Sequence, residues 1–135
     1  MNEEQSKRLS DAADAVILAT IALDEIHDSA NDPRFDSTVE RDRVSAAQQM
    51  ANKLDGAGKR IDEAVRKGTI AAASVASPGA FTRSREATAA VREGRALARA
   101  VPDQDGTANK RAKGQEALAR LEAALASAAA IVFSE

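Results

Sequence analysis

The chain has 135 residues, a net charge of −2 and no cysteine. That length fits one domain and is enough to bury a core. The missing cysteines exclude disulfides, thiol nucleophiles and Cys-based zinc sites, and a charge so near zero gives no general attraction to nucleic acid.

Alanine supplies roughly a quarter of the residues; with Glu, Arg, Lys and Leu it makes the composition of long helices. There is no Trp or Tyr, and Phe occurs only as Phe35, Phe81 and Phe133. A core of Ala, Val, Ile and Leu is thin, so its helices must approach closely. The first residues lack the basic region of a signal peptide. The longest uncharged aliphatic run, residues 16–23, is far shorter than the roughly 20 residues that span a bilayer. A soluble, cytoplasmic protein without membrane association is the expectation.

Three prolines, Pro33, Pro78 and Pro102, each sit in a cluster of helix breakers and divide the helical pattern into four. The first predicted helix covers 3–30. Asn2 and Gln5 have capping-box spacing, and Leu9, Ala12, Val16, Ala19, Thr20, Leu23 and Ile26 share one face. Asn31-Asp32-Pro33 ends it. The second starts at Ser37, with Glu40 in the capping-box position, and its stripe is Ala47, Met50, Leu54, Ala57, Ile61 and Val65. Arg66-Lys67-Gly68 has the character of a helix end, yet Ala72 and Val75 continue the stripe. A continuous or kinked helix reaching Ala76 is therefore expected.

Ser77-Pro78 reads as an N-cap followed by a first-turn proline. The third helix then covers 78–100, with a small apolar face of Ala87, Ala90, Val91, Gly94, Leu97 and Ala98. Gly94 costs a helix about 1 kcal/mol relative to Ala, so its place on that face implies close contact with another helix. After a turn at 102–106, the fourth helix covers 107–132, with Leu118, Leu121, Leu125, Ala128 and Val132 at three-four spacing. No alternating β-branched run marks a strand. The pattern predicts an all-α protein: an antiparallel four-helix bundle with long helices and short Pro-containing turns, one domain over 1–135.

Chemistry is hard to find. There is no cysteine, and the one histidine, His27, has no second imidazole to share work with. Gly56-Ala57-Gly58-Lys59-Arg60 resembles a fragment of a phosphate loop but lacks its spacing and preceding strand. Asp24 and His27, three apart, could meet one metal ion, but a di-metal bundle needs two such pairs and further carboxylates. His27 shares a face with Val16 and Leu23, which favours a core-edge histidine satisfied by a neighbouring helix. No catalytic residue, metal ligand or cofactor is assigned.

Two surfaces carry more information. On a wheel of about 100° per residue, Leu18, Ile21 and Ala22 fall opposite Val16, with Ile17 between. Asp14 and Glu25 flank this second patch. One apolar stripe suffices for a helix in a monomer. The second either wraps into the core, covered by residues 71–76, or meets a partner. The other surface is basic: Arg85, Arg92, Arg95 and Arg99 cluster opposite the small apolar face of the third helix. By contrast, the first 36 residues hold nine acids against three Lys or Arg. The Arg surface suits solvent, an acidic protein, nucleic acid, or the acidic first helix of another copy.

These features predict a non-enzymatic helical interaction protein, an adaptor, assembly factor or inhibitor, self-associating through its first helix. The alternative is a nucleic-acid-associated protein using the Arg face, though no helix-turn-helix spacing or aromatic stacking platform accompanies it. A metal-dependent enzyme centred on Asp24 and His27 is the third reading.

Overall fold

A computed structural model describes residues 2–75 and 78–133. It is all-α: four helices, α1 (Glu3–Ala30), α2 (Glu40–Val75), α3 (Pro78–Ala100) and α4 (Thr107–Phe133), with no strand among the described residues. Short 3-10 turns, Pro33–Asp36 and Val101–Asp103, join α1 to α2 and lead from α3 towards α4. Ser77 and Ala76, expected as an N-cap and as the last residue of the second helix, lie outside the described residues.

The expected capping box opens α1. The Asn2 side chain accepts from the Gln5 backbone N–H (2.8 Å), and the Gln5 side chain accepts from the Asn2 N–H (3.0 Å). Gln5 then donates its amide to the Ser74 carbonyl (2.7 Å), so the first turn of α1 meets the last turns of α2. The start of α2 departs from expectation. Ser37 closes the 3-10 turn in an extended conformation, accepts from the Val39 N–H and donates to Asp42, and the helix begins at Glu40. Ser37 is engaged instead as the C-cap of the turn that Pro33 opens, its N–H donating to the Arg34 carbonyl, and Thr38 and Val39 stand between it and the helix. Asp32 caps that turn by accepting from the Arg34 N–H (2.9 Å), and its carboxylate grips the Arg34 guanidinium.

Gly68 does not end α2. It is buried against the Ile131 side chain, and Ala71 and Ala72 beyond it are fully buried. Packing from α4 outweighs a local stop signal worth about 1 kcal/mol. Thr69 supports the same stretch, its hydroxyl 2.6 Å from that of the buried Ser84 on α3. Val75, expected to extend the stripe, is exposed instead.

Helix α1 packs on α2 and α4, α3 packs on α2 and α4, and α2 and α4 also meet each other. Helices α1 and α3 make no contact with one another among the described residues. The central pair therefore separates two flanking helices. The largest fully buried side chains are Ile26, Met50, Leu54, Ile61, Val101 and Leu121, each stabilising the fold by about 1.5–3 kcal/mol through burial. Alanines fill most of the remaining core. A smaller cluster of Ala72, Ala80 and Ile131 lies where α2, α3 and α4 meet. On α1, Thr20 is exposed rather than part of the core stripe, and its hydroxyl turns back onto the Val16 carbonyl (2.8 Å).

Gly94 sits at a close approach of α3 and α4. A Cβ there would stand 2.9 Å from Leu121 Cγ and 3.2 Å from Arg120 Cβ. Leu121 has no exposed surface and nowhere to move. Gly114 plays the same part on α4, where a Cβ would strike the buried Met50 side chain. Gly106, with φ of 81°, turns the chain into α4.

Gly94→Ala should destabilise the protein by about 1–2 kcal/mol, because overpacking exceeds the gain in helix propensity. Gly56→Ala, in open space on α2, should stabilise it by about 1 kcal/mol; chemical denaturation followed by circular dichroism measures both. Hydrogen bonds from the Arg34 side chain, then from its N–H, hold the Asp32 carboxyl below its ordinary value of 3.8, against the opposing effect of burial. A depressed carboxyl stabilises the fold above its ordinary pKa and loses that contribution as pH falls through the lowered one. Asp32→Ala should therefore cost about 1 kcal/mol at neutral pH, mainly as a lost cap. Melting curves across the acid range should draw towards those of the parent chain as pH falls below 3.8, and meet them only below the lowered value.

Candidate interaction surface

The inward side of α1 places Val16, Ala19, Leu23 and Ile26 in the core. Its outward side leaves Ile17, Leu18 and Ile21 exposed at 52, 52 and 55 %. Neither residues 71–75 nor any other described part of the chain closes over them. Asp14 and Glu25 are exposed beside this strip, as are Asp24 and Asp28. Ala22 differs from its predicted place: it is partly buried and packs against the core. The wheel is centred on Val16, but the buried residues Ala12, Ala15, Ala19 and Ile26 centre the core face to one side of it, which leaves Ala22 at the edge of that face. The aliphatic strip thus consists of Ile17, Leu18 and Ile21.

The basic face of α3 also resolves into two parts. Arg85, Arg92 and Arg99 are exposed, and no ion pair within the described residues engages them. Arg95 is different. It lies beside the buried face rather than opposite it, and its stem covers Gly58 of α2. Its guanidinium sits 3.4 Å from the Asp62 carboxylate, which also receives Arg66 (3.6 Å). Gly58 is thus a seat for an arginine within a continuous helix, and the phosphate-loop likeness has no loop behind it. Arg92, Arg95, Arg99, Thr88, Val91 and Asp62 line a shallow groove between α2 and α3, about 210 Å³ in volume.

His27 reaches across to α4, its Nε2 2.7 Å from Glu122. The neighbouring-helix partner expected of it is there, but both side chains are about half exposed, so His27 lies on the surface rather than at the core edge. Asp24 is exposed and makes no pair with His27. Among the described residues, no group of three or more His, Asp or Glu lies close enough to hold a metal ion. No described helix is long and apolar enough to cross a membrane.

A larger groove lies at the end of the molecule where the α1–α2 connection meets the start of α4. Its cations are already committed. Arg43 donates to the Ser37 carbonyl (2.7 Å). Arg111 donates to the Ala30 carbonyl (3.2 Å), stands 3.8 Å from Asp36 and lies 5.0 Å above the Phe35 ring. The Arg111 contacts tie α1, the first connection and α4 together, and sequence spacing gives no hint of them because the partners lie far apart along the chain.

No family model matches the chain, and no curated protein or solved structure matches it either.

The division of the arginines is testable by stability alone. Arg95→Ala removes packing over Gly58 and an interhelix contact, and should cost about 1 kcal/mol. Alanine at 85, 92 or 99 should stay within about 0.5 kcal/mol of the parent, as surface changes do. Thermal melts of the four single variants compare them directly.

Proposed function

We propose that this chain is a non-enzymatic helical interaction protein: an adaptor, assembly factor or inhibitor. In this reading it is a single domain, folded as an antiparallel four-helix bundle, and it self-associates through the outer face of α1. The observation that carries the reading is the strip Ile17, Leu18 and Ile21, about half exposed on one side of a helix whose other side is fully used by the core. Clustered aliphatic exposure of this kind marks interaction surfaces. Acids flank the strip, and the same chain offers unpaired arginines elsewhere, so a second copy supplies a partner of fitting charge.

The alternative reading, nucleic-acid association through α3, has Arg85, Arg92 and Arg99 in its favour. It has less support, because Arg95 is spent on Asp62 and three cations along one helix form a sparse phosphate-binding track. A gel shift at low salt, where phosphate contacts are strongest, should show no retardation. The metal-enzyme reading has only Asp24 and His27; His27 pairs with Glu122 and Asp24 is exposed, so it has the least support.

Self-association is tested by sedimentation equilibrium or light scattering. The expected result is a mass above the 14.1 kDa of one chain at high micromolar concentration. Leu18→Gln with Ile21→Gln should keep the melting temperature and weaken association on the order of 100-fold, at about 1.5 kcal/mol per buried aliphatic side chain. A parent chain that stays monomeric throughout that range overturns the reading.

A further inference from the structure

The outer faces of α1 and α3 agree in spacing as well as in charge. On α1, Asp14, Leu18, Ile21, Glu25 and Asp28 follow a four-three-four-three spacing. On α3, Arg85, Ala89, Arg92, Ala96 and Arg99 follow the same spacing. Every one of these side chains is exposed. Such spacing keeps residues on a single stripe, and fourteen residues carry each stripe about 21 Å along its helix. Acids stand at both ends of the α1 stripe with aliphatics between them. On α3 each alanine lies between two arginines, leaving low ground for a larger side chain. None of the charged members of either stripe forms an ion pair among the described residues, whereas Arg95, off the stripe, does.

We infer that the α1 face of one copy docks on the α3 face of the next, so that association is head-to-tail. The inference rests on α1 being a docking face and names its partner. Leu18 and Ile21 pack over the alanine positions and the alkyl stem of Arg92, while the terminal acids meet Arg85 and Arg99 whichever way the helices run. A two-fold pairing of α1 with itself would instead set Asp14 against Asp28, an unfavourable meeting of like charge. Because α2 and α4 stand between α1 and α3, a copy that has used one face keeps the other free. A heterologous contact of this kind propagates until it closes a ring, or continues as a filament. One helix pair is a small interface, so the contact is weak and needs high concentration to be populated.

Two blocked variants and their mixture test it. Leu18→Gln with Ile21→Gln disables the α1 face, and Arg92→Glu with Arg99→Glu disables the α3 face. Circular dichroism confirms that both remain folded, and light scattering reads the masses. The parent chain should exceed a dimer and dissociate as salt rises, since screening weakens opposite charges. Each variant alone should be monomeric, the arginine reversal weakening association by about tenfold or more. Mixed in equal amounts, they should form a complex of twice the 14.1 kDa chain mass and no larger, because one intact face of each kind remains. If the arginine-reversed chain associates as well as the parent, or the mixture stays monomeric while the parent associates, the head-to-tail contact is wrong and α1 docking stands. Association that strengthens with salt also overturns it. A parent chain that never associates overturns the docking reading itself.

Discussion

Close approach between helices is the constraint on which this structure depends. Alanine buries little surface, so a core made largely of alanine gains its cohesion from the number and tightness of its contacts rather than from large side chains. Gly94 against Leu121 and Gly114 beneath Met50 are two places where that demand shows. At both points the missing Cβ lets a fully buried aliphatic side chain press against a helix backbone. Helices α2 and α4 occupy the middle, touching both flanking helices and each other. Which faces of α1 and α3 remain for solvent or for partners follows from that placement.

Polar contacts between helices act differently. The pairs His27–Glu122 and Arg120–Glu93 join neighbouring helices, but their side chains are about half exposed. Pairs of that kind contribute about 0–1 kcal/mol. They orient helices that packing already holds. The Asp32–Arg34 clamp and the Arg111 contacts are more local, and fix the path of the first connection against the start of α4. The outer faces of α1 and α3 take no part in this network, which is why their charges remain available.

Most of the helical layout was legible, because its signals are local. Pro33, Pro78 and Pro102 mark the breaks, and the Asn2–Gln5 box marks the first start. Gly94 announced a close contact, since its cost on an apolar face needs compensation. The start of α2 was not legible in the same way: Asn31-Asp32-Pro33 says that a helix ends but not that a 3-10 turn follows and displaces Ser37. Gly114 and Ala117 were overlooked as core because small residues carry no hydrophobic emphasis, and Ile131 takes the buried position expected of Val132. For the candidate surface, a helical wheel found Leu18 and Ile21 but misplaced Ala22 and Arg95. Both lie at the edge of a face, where the partner helix decides the outcome. Arg95 is settled by Asp62 and Gly58, and no single-helix pattern contains them.

The length of α2 has a hydrodynamic consequence. Its 36 residues extend about 54 Å at 1.5 Å per residue, long for a chain of this mass. The accessible surface is 7543 Å², against about 6,700 Å² for a compact protein of equal mass. The molecule is elongated rather than spherical. Its friction in solution exceeds that of a globular protein of the same weight, so it tumbles more slowly and leaves a gel-filtration column early. Elution volume confounds shape with assembly here, and only an absolute measure of mass separates an elongated single chain from a pair.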